Sequence, residues 1–243
     1  MERCLKKKLL ISLVLLVTTL CGPGLYKMAR RDYYVPEKVV YLYGPGKRGS
    51  CSGIHVDINN KTYILSAAHC LALAKDGKIL VQDDEMDDPI PREVLMEDST
   101  ADIIILEALP HRSGITLASS VEVKERLYTY THGLGYATYK TEGTYIQDLV
   151  IEVPLFVVDE THKCDISKPK YIQKLLNLFI IQLDVCFLVE DTMVTDALIA
   201  PGSSGGVVTN KYGELVGLVS AGDNKFGYLV PLDSVQKFVS NWR

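Results

Sequence analysis

The sequence predicts an all-β protein, an antiparallel sandwich or barrels, with a length that suits two barrels. Two observations carry this. From about residue 39 the chain is a series of short β-branched or aromatic runs: "KVVYLYG", "SGIHVDI", "TYILSA", "KILVQ", "ADIIILEA", "RLYTYTHG", "TYIQDLVIEVPLFVV", "GGVVTN", "ELVGLVSAG" and "FGYLVPL". Several of them end in Asn-Asn, Asp-Gly or Tyr-Gly turns, and almost no helical period lies between them. The 243 residues are enough for one large or two small domains with a full-sized core.

Two segments break the strand pattern. In "SKPKYIQKLLNLFIIQLD", Ile172, Leu175, Leu176, Phe179, Ile180 and Leu183 recur at helical spacing, which predicts a helix over 168–183. Ser167 can cap it, and Pro169 sits where a first turn tolerates proline. The last segment, "PLDSVQKFVSNWR", puts Leu232, Val235, Phe238, Val239 and Trp242 on one face of a C-terminal helix. Both stripes read as core packing.

The N-terminus differs from the body. Arg3, Lys6, Lys7 and Lys8 precede "LLISLVLLVTTL", and the chain stays uncharged to Tyr26. A charged region followed by a short apolar one reads as a signal peptide over residues 1–26, or as an anchor through residues 9–26. Leu20 stands before Cys21 where a lipoprotein signal wants a small residue. The positive flank stays cytosolic and the body is expected to be exported: secreted, periplasmic or at the cell surface, with membrane attachment if the segment is retained. Residues 27–38 read as a linker, and a single domain is expected over 39–243, its barrels meeting near 120–128.

Composition narrows the partners. Apolar residues make up 47% and charged residues 23%, and the net charge is −4, with no basic stripe beyond the N-terminus. Nucleic acid is therefore an unexpected partner. Cys4 and Cys21 belong to the targeting segment, which leaves Cys51, Cys70, Cys164 and Cys186. An even number in an exported chain suggests two disulfides. No cysteine or histidine spacing resembles a zinc site.

The stretch "IAPGSSGGVV" sets two serines inside a run of glycines. Acyl transfer by serine needs a hydroxyl, a base, a carboxylate to orient the base, and backbone donors for the oxyanion. A glycine-rich turn supplies such donors. His69, in "ILSAAHC", follows an apolar strand into small residues and a cysteine; His55, His111, His132 and His162 do not. Asp102, in "TADIIILEA", stands directly before a strand that should be buried. Each signal alone is ordinary, but His, Asp and Ser occur together in that order.

These three motifs, "SAAHC", "DIIIL" and "GSSGG", resemble those of the trypsin-like (chymotrypsin-fold) serine endopeptidases. The resemblance covers roughly residues 39–243. In wording, "TDALIAPGSSGG", "GELVGLVS" and "FGYLVPLD" are most similar to the HtrA/Do-type branch, although that branch adds a PDZ domain and the chain ends at Arg243. The resemblance implies two antiparallel six-stranded barrels, here with a short intermediate helix and a C-terminal helix. It implies a serine endopeptidase acting on polypeptide, without cofactor or metal. Its Gly-x-Ser-Gly-Gly pattern makes Ser204 the nucleophile and Ser203 the variable position. His69 would be the base, Asp102 its orienting partner, and the Gly202 and Ser204 amides the oxyanion hole. Ser203 replaces the aspartate that digestive trypsins use for zymogen activation, so activation by an ion pair is not expected.

The resemblance to animal-type enzymes also pairs Cys70 with Cys51, and Cys164 and Cys186 are expected to bracket the helix at 168–183. Leu198, six residues before the nucleophile, would form the base of the primary specificity pocket. Ser220 to Gly222 and Gly227 would form its walls, an open apolar slot for medium to large apolar side chains, with Asp223 able to reach the rim. A catalytically inactive relative that kept the fold is the alternative. An α/β-hydrolase is excluded by motif order and by the shortage of helices.

Overall fold

The computed structural model describes residues 34–47, 49–133, 138–154, 171–178, 181–223 and 225–242. Six strands close the first barrel: β1 (Val39–Tyr43), β2 (Ser50–Ile58), β3 (Lys61–Ser66), β4 (Lys78–Gln82), β5 (Ile90–Asp98) and β6 (Ile103–Glu107). Their order is β1-β2-β3-β6-β5-β4, and β4 pairs back onto β1. The β2–β3 connection is a two-residue turn at Asn59 and Asn60, both at positive φ (51° and 64°). Asparagine tolerates that region, and the resulting twist suits a tight hairpin.

The second barrel follows from β7 (Arg126–Thr131), β8 (Tyr139–Pro154), β9 (Tyr171–Leu178), β10 (Ile181–Thr195), β11 (Val207–Thr209), β12 (Leu215–Gly222) and β13 (Gly227–Pro231). The order is β13-β12-β11-β7-β8-β10, closed by pairing of β10 with β13, and β9 hangs on the outer edge of β10. The C-terminal helix α1 (Leu232–Asn241) buries Leu232, Val235 and Phe238 as its stripe predicts. Trp242 ends it and meets Tyr63 edge-on at 5.5 Å between ring centroids.

Burial explains why several strands read as continuous apolar runs rather than alternating ones. All of Ile103 to Leu106 are buried. Ile103 and Ile105 face a core shared with Tyr128, Tyr130, Val207, Leu218 and Val230 of the second barrel, while Ile104 and Leu106 fill the first barrel. A strand with one face in each core has no solvent face to carry polar residues. The shared core fixes the two barrels against each other, and that fixes the site between them.

The helix expected over 168–183 is a correction. Residues 171–178 and 181–195 are β9 and β10, paired antiparallel with Leu176 opposite Leu183 and Ile172 opposite Phe187. A dense apolar run satisfies both periods, and pairing with a neighbouring strand decides between them. Ser167, Pro169, Cys164 and the Cys164–Cys186 pairing lie outside the described residues. The linker expected over 27–38 is also too long. Val35 is fully buried in the shared core, and the Tyr34 hydroxyl donates to Gly114 O at 2.7 Å. A single-residue signal of this kind has no period to reveal it. Strand β5 was not among the expected runs; its side chains alternate between half-buried and exposed, so it lacks a strong apolar signature.

Candidate active site

The topology brings His69 and Asp102 together. Strand β3 ends at Ser66 and runs into a 3-10 turn, Ala68–Leu73, which carries His69. Strand β6 begins just after Asp102, and Ser66 is the register partner of Ile104. The end of one strand therefore lies beside the start of the other. His69 Nδ1 sits 3.1 and 3.0 Å from the two Asp102 carboxylate oxygens, and the His69 backbone N–H donates to Oδ1 at 2.9 Å. Asp102 has φ 53°, a left-handed conformation that aspartate accepts more readily than most residues.

A further donor completes the Asp102 shell. The Ser220 hydroxyl donates to Oδ2 at 2.7 Å. Burial opposes ionisation of Asp102, but the His69 ring, the Ser220 hydroxyl and the His69 amide hold its carboxyl below the usual range. The carboxylate thus stays charged where its charge orients the imidazole. The His69 side chain is one-third exposed, while that of Asp102 is 10% exposed.

Ser204 lies in the turn before β11. Gly202 and Gly205 in that turn have φ 88° and 77°. A Cβ on Gly205 would stand 2.0 Å from Ser66 Oγ and 2.3 Å from Ser52 O, so only glycine lets the turn pack against the first barrel. The Ser204 Oγ donates to Ser220 O at 3.2 Å. Ser220 therefore contacts both Asp102 and Ser204. The Gly202 and Ser204 N–H groups, the expected oxyanion donors, donate to no atom of the described residues.

Ser52 ties this turn to the first barrel. Its N–H donates to Ser204 O at 2.7 Å, and its hydroxyl donates to Gly202 O at 2.9 Å while accepting from the His132 N–H at 2.9 Å. Its neighbour Cys51 is bonded to Cys70, which follows His69, with the expected pairing and a Cα–Cα distance of 6.2 Å. Ser203 is fully buried and serves as a lock. Its Oγ lies 3.0 Å from Thr131 Oγ1 and 2.8 Å from the Tyr139 hydroxyl. Neutral hydroxyls occupy the place where an ion pair would have needed a buried charge.

The other histidines have different surroundings. His55 is buried between Lys38 O, 3.1 Å from Nδ1, and the Leu109 N–H, 3.3 Å from Nε2. His132 stacks on Tyr41 with ring centroids 3.4 Å apart. His111 occupies a turn with φ 58°, and His162 lies outside the described residues.

The expected specificity pocket is corrected in two respects. Leu198 is 66% exposed and cannot be the base of a pocket. Gly222 and Gly227 are cross-strand partners, as a slot would need, but Ile199 rather than open space faces them. Leu198 and Ile199 are neighbours whose side chains go to different places, Leu198 to solvent and Ile199 to the glycine pair. The roles of Ser52 and Ser220 in positioning the site were not anticipated. Neither sits in a motif with spacing of its own, and both act through contacts more than a hundred residues away in the chain.

A family model described as "Trypsin-like peptidase domain" matches residues 51–218. Among solved structures, the active form of the Rv3671c protease from M. tuberculosis superposes with a TM-score of 0.62 at 16% identity, covering 86% of this chain and 82% of that one. Its inactive form gives 0.60 at 15% identity, covering 85% and 89%. An inactive serine-to-alanine mutant of Rv3671c from M. tuberculosis H37Rv gives 0.59 at 15% identity, covering 85% and 87%. At these identities the likeness is one of fold. No curated protein sequence matches the chain.

Proposed function

Since the chain belongs to the trypsin-like peptidase domain family, we propose that it is an exported serine endopeptidase with Ser204 as nucleophile, His69 as base and Asp102 as orienting carboxylate. The single observation that carries this reading is the Asp102 carboxylate, which receives the His69 amide, faces the His69 ring and is linked through Ser220 to Ser204.

Nδ1–H directed at Asp102 leaves Nε2 as the basic nitrogen. Nε2 takes the Ser204 proton as Oγ bonds to the scissile carbonyl carbon. The carbonyl oxygen becomes an anion facing the Gly202 and Ser204 amides, each such donor being worth about 2.7–4 kcal/mol in the transition state. Collapse breaks the C–N bond, and the imidazolium gives its proton to the departing amine. Water then attacks the acyl-enzyme with the same proton transfers in the same order. The Ser204 hydrogen bond to Ser220 O is a resting arrangement in this scheme, since catalytic hydrogen bonds commonly tighten only when substrate binds.

That same bond fits a second reading, a relative that binds polypeptide without cleaving it. Labelling with a fluorophosphonate, wild type beside Ser204→Ala, separates the two. Stoichiometric labelling of wild type alone supports the enzyme. No labelling, with the fold intact, supports the binding protein.

Export rests on the charged and apolar N-terminal pattern, and the Cys51–Cys70 bond suits an oxidising compartment. Among the described residues no helix is long and apolar enough to cross a membrane, and residues 1–33 lie outside them. Cleavage or retention of that segment is read by N-terminal sequencing of the mature protein.

A further inference from the structure

Gly222 at the end of β12 and Gly227 at the start of β13 are register partners, and Ile199 reaches over both, with Thr195 Cγ2 also 3.0 Å from a Cβ placed on Gly227. A Cβ on Gly222 would stand 2.5 Å from Ile199 Cβ, and one on Gly227 would stand 2.7 Å from Ile199 Cγ1. Ile199 therefore lies directly against the two bare α-carbons. It is held there, because it is partly buried and packs against the second-barrel core cluster that contains Met193, Val219 and Leu229. Its neighbour Leu198 points to solvent.

The slot adjoins the chemistry. Gly222 is two residues from Ser220, whose carbonyl accepts the Ser204 hydroxyl and whose hydroxyl supports Asp102. A side chain on the residue whose carbonyl Ser204 attacks would pass Ser220 toward the glycine pair and meet Ile199. The charge at the rim lies outside the slot, on a loop carboxylate that its own neighbours hold in place. The Asp223 carboxylate already accepts from the Lys225 and Phe226 amides at 2.6 and 2.7 Å and from the Tyr228 hydroxyl at 2.9 Å.

Resting on the reading of Ser204 as a peptidase nucleophile, we propose that Ile199 sets the substrate preference by filling this slot. The enzyme selects a small residue, glycine, alanine or serine, on the acyl side of the cleaved bond. The glycine pair leaves room for Ile199 itself rather than for a substrate side chain. Removing the isoleucine should open an apolar cavity floored by Gly222 and Gly227.

The test uses two peptides identical except for alanine or phenylalanine at the acyl-side residue. They are assayed on wild type, Ile199→Val and Ile199→Ala, with each enzyme normalised to its fluorophosphonate-labelled fraction. Wild type should favour alanine. Ile199→Ala should raise the phenylalanine-to-alanine ratio of kcat/KM by at least about tenfold, with Ile199→Val between. A wild type that prefers phenylalanine overturns the proposal, even if the alanine variant fails to fold. So does a ratio that stays within about twofold in a labelled Ile199→Ala enzyme. Labelling that survives these results leaves the peptidase reading standing, whereas a wild type that takes no label overturns both.

Discussion

The backbone N–H of Ser52 in the first barrel donates to the carbonyl of Ser204 in the second at 2.7 Å. The Ser52 hydroxyl adds a bond to Gly202 O, so both residues of the proposed oxyanion hole are held at their carbonyls by one residue of the opposite barrel. Peptide units are rigid, so fixing carbonyls limits how the turn can rotate. Ser52 is fully buried, and Ser52→Ala would leave Gly202 O and the buried His132 N–H without their hydroxyl partner. The cost expected is about 1–3 kcal/mol of stability. Turnover should fall through kcat more than through KM, because the turn acts on the transition state. Thermal unfolding and steady-state kinetics on the same preparation check both.

Removing members of the proposed triad separates chemistry from architecture. Ser204→Ala and His69→Ala should abolish measurable peptide hydrolysis with the fold retained. Asp102→Asn should lose about four orders of magnitude in kcat by stabilising the wrong imidazole tautomer. Asp102 also carries an acid-stability signature. Its folded pKa lies below its ordinary value of 3.8, so its contribution is present above that value and lost as pH falls through the lower folded one. Asp102→Asn should remove that part of the acid limb in a urea-unfolding series from pH 5 down to pH 2.

Ser203→Ala tests the buried hydroxyl chain rather than the chemistry. The Thr131 and Tyr139 hydroxyls would lose the oxygen between them. Stability should drop by about 1–3 kcal/mol while activity persists. Loss of activity in Ser203→Ala, with Ser204→Ala active, would show that the nucleophile had been placed one residue late.

The two-barrel fold and the placing of His69 beside Asp102 were legible because each had a local signature: short apolar runs with turn residues, and motifs at strand ends. The β3–β6 pairing that joins His69 to Asp102 follows once those strands share a barrel. What was not legible depended on direction or on a distant partner. Leu198 and Ile199 are adjacent, yet one is in solvent and the other is packed on two glycines, and apolarity does not tell them apart. Ser52 looks like an ordinary strand serine until the barrels dock, and Ser220, expected in a pocket wall, instead bonds Asp102 and Ser204. The segment 171–183 is apolar enough to suit either period, and only its pairing in the sheet decides.

The Cys51–Cys70 bond closes a loop with a sequence separation of 19 that contains β3 and His69. In the chain-entropy picture, closing a loop of that size stabilises the fold by about 3 kcal/mol. Reduction should lower the unfolding midpoint accordingly. Activity should fall as well, because Ser52 and His69 are the residues next to the two cysteines. Non-reduced peptide mapping should recover Cys51 joined to Cys70. Recovery of both as alkylatable thiols would remove the basis of this prediction.

The last prediction concerns pH and a histidine outside the site. Burial of His55 pushes its pKa down from 6.5 to about 4; the Lys38 carbonyl and Asp83 oppose the shift, and Arg112 and Lys38 add to it. The hydrogen bonds agree, since Nδ1–H donates to Lys38 O and Nε2 accepts from the Leu109 amide. A proton on Nε2 would set donor against donor. The unfolded chain binds that proton near pH 6.5 and the folded one only near pH 4, so the unfolded state binds more protons between them. Stability should therefore be complete above about pH 6.5, fall as pH drops through that window, and level off below about pH 4 with roughly 3 kcal/mol lost. His55→Gln keeps a polar group without the titration and should flatten the stability curve over the same window, whatever it costs at pH 7. Urea unfolding of both proteins at half-unit intervals reads this directly, and a wild-type curve flat from pH 7 to pH 5 would show that His55 is not held neutral by its burial.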